Sequence, residues 1–314
     1  MKKKAIIISI KGTSLTRQEK LLLSKEKPWG LILFKRNIKS IVQIKNLIKD
    51  IKKFAKDKKF PILIDEEGSS VSRLENIVNH NFDANYFGQL YKLDKKIAIT
   101  LYKNYLKILC NNLRNIGINI NTIPVLDVLR NNTNDIIGKR SFSRNKDVVS
   151  DLGKITINEC HINKIATVIK HIPGHGCSTI DSHQKMPKVN LNIRTLDKID
   201  FYPFKSTYSK LAMTAHILYS KIDSKNVSTF SKKIINEIIR KKIGFKGIIM
   251  SDDISMKALK YDLIKNAKKS LLAGCNLVLY CAGNIKDNFK LIRSVPYIDQ
   301  FTSKKTSEIY KFLR

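Results

Sequence analysis

Short apolar runs alternate with longer amphipathic segments along most of the chain. Eight of these runs are rich in β-branched residues: KAIIISI (4–10), GLILF (30–34), PILID (61–65), ININ to VLDV (118–128), ATVIKH (166–171), LAMTAH (211–216), GIIMSD (247–252) and LVLY (277–280). The runs are continuously apolar and do not alternate with polar residues. This pattern predicts parallel strands that are buried on both faces of a sheet.

The segments between these runs have helical spacing, as in Ile41–Phe54, Leu101–Ile116 and Ile234–Ile243. Eight strand-and-helix units in 314 residues predict an α/β protein with a (β/α)8 TIM-like barrel, formed as a single domain over residues 1–314. The alternative is an open, doubly wound sheet, but no G-x-G-x-x-G follows the first strand. We expect the residues after Ala282 to form the closing helices.

Polar side chains stand at the ends of several predicted strands. In a barrel of this kind, catalytic groups gather at the C-terminal ends of the strands. These positions are therefore expected to meet around one pocket. They are Asp65, Asp127, Lys170, His171, His216, Asp252 and Asp253.

The net charge of +33 would favour anionic partners. Lysines are nevertheless spread along the whole chain, as an A+T-rich coding sequence would produce. No basic motif is interleaved with aromatic residues of the kind that stack on bases. We therefore predict no nucleic-acid partner.

The apolar run at the N-terminus, Ala5 to Ile10, is shorter than the core of a secretory signal. No stretch approaches the roughly 20 apolar residues of a membrane span, so we predict no membrane partner. The five cysteines are odd in number and include no C-x-x-C, which disfavours both a disulfide framework and a zinc ribbon. A reducing cytoplasm and a monomeric protein are expected.

The stretch KHIPGHGCSTIDSH (170–183) concentrates three of the six histidines. One hypothesis is a metal-dependent hydrolase that binds its ion through His171, His175, Asp181 and His183. Pro173, Gly174 and Gly176 make a helical ligand pair improbable, although a loop can also gather ligands.

A second hypothesis is acid–base chemistry. Asp181 stands two residues before His183. A carboxylate that accepts a hydrogen bond from one ring nitrogen fixes the tautomer and raises the basicity of the other nitrogen. That nitrogen can then donate and accept a proton near neutral pH.

The string K-H-I-P-G-H-G-x4-D-S-H resembles the signature of the β-N-acetylglucosaminidases of glycoside hydrolase family 3, of the NagZ type. Further segments resemble the same family in the same order: GLILFKRN (30–37), IDEEG (64–68), IGKRSF (137–142), MTAH (213–216) and FKGIIMSDDISM (245–256). The resemblance implies a retaining exo-glycosidase without metal or cofactor. It would remove terminal β-linked N-acetylglucosamine from peptidoglycan fragments during cell-wall recycling, and a muropeptide containing that sugar would be its substrate.

Carried over by motif, the resemblance makes Asp252 the nucleophile and Asp253 a supporting residue. It makes His183 the general acid and base, oriented by Asp181. The sugar-binding residues that it implies are Asp65, Arg73, Arg140, Lys170 and His171.

The chain departs from the family pattern at the pocket rim. The family commonly has E-G-G-R-V-x-R where this chain has EGSSVSR, which introduces Ser69 and Ser70. It commonly has G-E-R-S-F where this chain has GKRSF, which introduces Lys139. These changes leave Asp252, His183 and Asp181 in place.

Overall fold

The computed structural model describes residues 2–79, 81–182, 185–205 and 207–313. In these residues eight parallel strands close into a barrel in the spatial order β1-β10-β9-β7-β5-β4-β3-β2, and β6 pairs with β8 in a separate two-stranded sheet. The strands are β1 (Lys4–Ile8), β2 (Pro28–Leu33), β3 (Ile62–Ile64), β4 (Ile120–Asn121), β5 (Ala166–Ile172), β6 (Lys188–Val189), β7 (Leu211–Thr214), β8 (Leu218–Tyr219), β9 (Ile248–Asp253) and β10 (Leu277–Leu279). The predicted barrel is confirmed.

Helices surround the barrel. They are α1 (Arg17–Lys25), α2 (Ile41–Phe54), α3 (Ala84–Leu93), α4 (Lys95–Ile116), α5 (Lys146–Ile162), α6 (Ile193–Ile199), α7 (Leu263–Ala273), α8 (Ile285–Ser294) and α9 (Gln300–Phe312). Short 3-10 turns occur at Lys35–Asn37, Gly138–Arg140, Tyr202–Phe204 and Ser228–Phe230. The helices expected after Ala282 are present as α8 and α9. No helix in the described ranges is long and apolar enough to cross a membrane.

Capping residues explain why two predicted helix boundaries hold. Ser40 precedes α2, and its hydroxyl accepts a hydrogen bond from the Gln43 amide at 3.2 Å. The helix α4 ends at Gly117, whose φ of 95° lies in the left-handed region that favours glycine. The start of α4 lies six residues before the predicted Leu101.

The segment Ile234–Lys242 differs from the α-helix that its spacing predicts, because it is wound as a π-helix. At its end, Ile243 N–H donates to the Ile238 carbonyl five residues back, at 2.8 Å. Four isoleucines still form one buried face. Apolar spacing identifies the buried face of the helix. It does not distinguish the i to i−4 hydrogen bonds of an α-helix from the i to i−5 hydrogen bonds of a π-helix.

The fourth strand is much shorter than the predicted 118–128. Its ladder stops after Asn121, and Val125 then forms an isolated bridge with Lys170. Pro124 lies between these points, and proline has no N–H to donate to a ladder. The residues beyond it, including Asp127, therefore form a loop above the barrel.

The strands bury both of their faces. On β1, Ala5 and Ile7 belong to one apolar cluster with residues of the other barrel strands. Ile6 and Ile8 point the other way and pack with Leu291 of α8. This two-sided burial is why the runs read as continuously apolar. It also leaves the C-terminal ends of the strands as the place where polar groups meet.

Candidate active site

A cavity of about 280 Å³ opens at the C-terminal ends of the barrel strands. Six of the eight predicted site residues line it, together with Glu67, His175 and Ser182. The six are Asp65, Arg73, Arg140, Lys170, His171 and Asp252. Residues from distant parts of the chain thus meet at one point, as the barrel interpretation requires.

Asp65 follows β3 directly and is held by two cations. Lys170 Nζ donates to its Oδ1 at 3.2 Å, and Arg73 Nη2 donates to its Oδ2 at 3.3 Å. The Thr122 hydroxyl donates to the same Oδ1. Burial opposes ionisation, but Lys170 and Arg73 outweigh it and hold the pKa of Asp65 well below its usual range. Asp65 is therefore an ionised acceptor in the pocket wall.

Glu67 is a central residue that the sequence reasoning missed. Arg140 binds it through two hydrogen bonds, Nε–Oε2 at 2.7 Å and Nη2–Oε1 at 2.9 Å. Lys170 Nζ lies 2.5 Å from the same carboxylate. Burial would raise the pKa of Glu67, but Arg140 and Lys170 lower it to about 2. Its sequence signal was its position two residues after Asp65 in IDEEG.

Asp127 supports the histidines of the pocket. Its side chain is fully buried. The carboxylate contacts the His171 ring at 2.7 Å (Nδ1–Oδ2) and accepts the backbone N–H of His175 at 2.6 Å. Burial opposes ionisation, but the His171 ring leads the interactions that lower the pKa of Asp127. Its position near a strand end predicted a polar cluster, but not this partnership.

Asp252 and Asp253 are neighbours in β9 with different surroundings. Asp252 lines the cavity, and its Oδ1 accepts the Asp253 amide at 2.7 Å. The Asp253 carboxylate accepts hydrogen bonds from Ser255 N–H at 3.0 Å and from Ser255 O–H at 2.6 Å. Burial raises the pKa of Asp253. Asp253 therefore closes the turn after β9, whereas Asp252 faces the cavity.

The segment that carries the predicted acid–base pair borders the cavity. Ser182 lies in the lining, 3.3 Å from His175 Nε2. Asp181 does not line this cavity; it lies in an adjoining groove that shares Ile136 with it. His183 lies outside the described residues. Burial lowers the pKa of His175 to about 4, so its ring is neutral at pH 7.

The charges of the cavity wall balance. Among the described lining residues there are three carboxylates and three cations. The carboxylates are Asp65, Glu67 and Asp252, and the cations are Arg73, Arg140 and Lys170. A neutral, hydroxyl-rich ligand suits such a wall, because fixed donors and acceptors alternate around it.

The metal-site hypothesis finds no assembled ligand set among the residues that the structure describes. The described ranges contain no group of three or more His, Cys, Asp and Glu side chains that could hold an ion. His171 Nδ1 is directed at Asp127, and Asp181 lies in the adjoining groove. The fourth proposed ligand, His183, is outside the described residues.

Gly174 and Gly176 are required by close packing. A Cβ on Gly176 would lie 1.8 Å from the Val128 carbonyl oxygen. Gly174 has a φ of 139°, and a Cβ there would lie 2.9 Å from Asp200. The loop that leads to Asp181 is therefore pressed against the loop that follows β4.

The two serines that depart from the family pattern share one partner. The Ser69 and Ser70 hydroxyls both donate to Asp83 Oδ2 at 2.8 Å. Asp83 is the residue before α3, so the loop that carries Arg73 is tied to that helix. Lys139 precedes Arg140 in the chain and is exposed, and it does not line the cavity.

Comparisons with known proteins agree with this geometry. Residues 3–303 match the family model described as glycosyl hydrolase family 3 N terminal domain. A β-hexosaminidase from Idiomarina loihiensis is 34% identical over 282 residues, covering 88% of this chain and 83% of that protein.

Two solved structures of NagZ from Neisseria gonorrhoeae share the fold at 29% identity, over 98% of this chain and 90% of theirs. The complex with N-trifluoroacetyl-D-glucosamine gives a TM-score of 0.88, and the complex with a zinc ion gives 0.86. The chain therefore belongs to the β-hexosaminidases of glycoside hydrolase family 3 and is a glycoside hydrolase.

Proposed function

We propose that this protein is a retaining exo-β-N-acetylglucosaminidase that acts on peptidoglycan fragments. The observation that carries the proposal is the placement of Asp252 in a small cavity with five sugar-binding candidates. The proposed catalytic unit is one barrel domain, residues 1–314. Its nucleophile is Asp252, and its acid and base is His183, oriented by Asp181.

The size of the cavity favours an exo-acting enzyme. A volume of about 280 Å³ lies just below the range of roughly 300–1,000 Å³ that is typical of ligand pockets. It suits one terminal sugar better than a chain of sugars passing through. The charge-balanced wall supports the identity of that sugar, because N-acetylglucosamine is neutral and presents hydroxyl and amide groups.

In the first step, an Asp252 carboxylate oxygen attacks the anomeric carbon while the glycosidic C–O bond breaks. His183 donates its proton to the departing oxygen, which leaves as a hydroxyl group. The product is a glycosyl ester on Asp252, the intermediate that defines a retaining glycosidase.

In the second step, His183 takes a proton from water, and that water attacks the anomeric carbon. The ester C–O bond breaks, and the Asp252 carboxylate is released with a sugar of retained configuration. Asp65, Arg73, Arg140, Lys170 and His171 hold the sugar during both steps. Asp127 and Glu67 orient those groups without contacting the reacting atoms.

Cell-wall recycling in the cytoplasm is the proposed setting. All five cysteines are free thiols in the structure, which fits a reducing compartment. A monomer without a nucleic-acid or membrane partner remains our prediction.

The test is covalent trapping. We would incubate the protein with a 2-fluoro or 5-fluoro N-acetylglucosamine-type reagent, digest it, and map the adduct by mass spectrometry. A sugar on the peptide that contains Asp252 is expected. An unlabelled protein that still cleaves an aryl β-N-acetylglucosaminide would contradict the covalent step. Activity that is abolished by chelation and restored by zinc would favour the metal-dependent hydrolase.

A further inference from the structure

A second groove, of about 620 Å³, lies on the same face of the barrel as the catalytic cavity. Its walls are the loop that follows β4, the residue Arg144, and the segment that runs through β6 into α6. Three cations line it, namely Arg130, Arg144 and Lys188, and the described lining includes no Asp or Glu. This groove therefore differs from the charge-balanced catalytic cavity.

Two of the three cations are available to a ligand. Arg130 is already neutralised, since its Nη2 lies 2.5 Å from the fully buried Asp200. Arg144 donates from Nη1 to the neutral Asn131 amide oxygen at 2.8 Å, and both Arg144 and Lys188 are exposed. Within the described residues neither forms an ion pair with a carboxylate. In that part of the chain, no carboxylate therefore neutralises the positive charge that these two side chains bring to the groove.

The groove is connected to the catalytic cavity. Thr179 lines both this groove and the smaller groove that contains Asp181. Ile136 lines both that smaller groove and the catalytic cavity. The Asn134 backbone N–H donates to the Ser178 carbonyl at 2.9 Å. This hydrogen bond joins the loop after β4 to the stretch 170–183, which carries the predicted acid–base pair. A ligand longer than one sugar can follow this surface outward from Asp252.

We propose that Arg144 and Lys188 bind carboxylates on the leaving-group side of the substrate. This inference rests on the proposed function, because it assigns the part of the substrate that departs from the sugar. A peptidoglycan fragment offers two sources of such carboxylates: the acidic ether side chain of the neighbouring sugar and the peptide attached to it. The catalytic cavity selects the neutral sugar, and this groove selects the anionic remainder.

The test measures kcat/KM for Arg144→Glu/Lys188→Glu and for the unchanged protein on three substrates. The first is a neutral aryl β-N-acetylglucosaminide. The second is N-acetylglucosamine β-linked to N-acetylmuramic acid, which carries one carboxylate. The third is the same disaccharide with its acidic peptide attached. The neutral substrate also reports whether the variant is folded.

Exposed charges each contribute little, so we expect a loss of about five- to twenty-fold on the peptide-bearing substrate and less than about two-fold on the neutral one. If kcat/KM already falls on the second substrate, the groove binds the ether carboxylate. If it falls only on the third, the groove binds the peptide carboxylates. Higher salt should shrink the difference between variant and unchanged protein. Arg144→Gln/Lys188→Gln should rank the three substrates in the same order, with a smaller loss of kcat/KM on each.

The matched control is Lys45→Glu/Lys49→Glu on α2. It makes the same change in net charge, and α2 contributes no lining residue to the catalytic cavity or to either adjoining groove. Equal losses on all three substrates, or equal losses in the control, would overturn the proposal. Failure of the unchanged protein to cleave any of the three would instead overturn the proposed function.

Discussion

The ring of His171 donates through Nδ1 to the carboxylate of Asp127, with 2.7 Å between Nδ1 and Oδ2. An ionised carboxylate has no proton to give, so the shared proton belongs to the histidine. Nδ1 is therefore the protonated nitrogen of this pair, which leaves Nε2 as the atom that faces a ligand. A residue 44 positions away thus determines which atom His171 presents to a ligand.

Asp127→Asn should lower kcat/KM on an aryl β-N-acetylglucosaminide by roughly 10- to 100-fold, a loss like that seen when the partner that orients a metal-binding histidine is removed. The amide can also donate to Nδ1, which would protonate Nε2 instead. Steady-state kinetics with a circular-dichroism check of folding measures the effect. A folded variant with unchanged KM and kcat would contradict this role.

Asp252→Asn should reduce turnover on the order of 10³-fold or more, because an amide cannot form the ester intermediate. The matched control is Asp253→Asn, which keeps one oxygen to accept from Ser255 and should lose far less activity. Single-turnover and steady-state assays on one aryl substrate compare the two. Equal losses would remove the distinction between the two aspartates.

His183→Ala should slow cleavage of natural substrates more than cleavage of a substrate with an activated phenolate leaving group. Such a phenolate departs without a proton, so it does not need the acid. The measurement is the ratio of kcat/KM for the two substrates in variant and unchanged protein. Equal losses on both would count against His183 as the acid.

Glu67→Gln should destabilise the protein at pH 7 by on the order of 3 kcal/mol, since buried Arg140 loses its carboxylate partner and Lys170 loses one of its two. The folded pKa of Glu67, about 2, lies below its ordinary value of 4.5. Its stabilising contribution is therefore present above about pH 4.5 and is lost as the pH falls towards 2. Urea unfolding should show the penalty shrinking from pH 7 to pH 3.

A control for that series is Glu237→Gln, which removes an exposed pair with Lys241. We expect Glu237→Gln to lower the free energy of unfolding by less than about 1 kcal/mol at either pH. A Glu67 penalty of the same size at pH 7 and pH 3 would show that the buried charge is not its source.

Gly176→Ala should destabilise the fold by at least about 2 kcal/mol, because its methyl group would overlap the Val128 carbonyl oxygen. Gly12→Ala is the comparison, since a Cβ at Gly12 meets nothing within 4 Å. Urea midpoints should fall for the first variant and stay within error for the second. Similar urea midpoints for both variants would mean that the backbone around Gly176 can move away from Val128 at little cost in stability.

The barrel could be predicted from local pattern because each strand buries both faces within a few residues. The runs 4–10 and 247–252 overlap β1 and β9 for this reason. The π-winding of Ile234–Lys242 could not be predicted, because the same four isoleucines are buried in either winding. The short β4 had a visible cause in Pro124, which breaks the ladder.

The cavity was predicted in part. Motif resemblance named six of its lining residues, but it did not name Glu67, whose partner Arg140 lies 73 positions away. Long-range ion pairs leave no periodic trace in a sequence. The placement of Asp181 in an adjoining groove likewise depends on how its loop packs against the loop after β4. The spacing of residues along the sequence does not predict such packing.

The three-to-three balance of charge among the described residues of the cavity wall also affects the rate of the second step. In the proposed intermediate Asp252 is an uncharged ester, so the same wall carries one excess positive charge. That excess favours the departure of Asp252 as a carboxylate anion when the ester bond breaks. The cavity would therefore assist the second half of the reaction by an electrostatic bias that the first half creates.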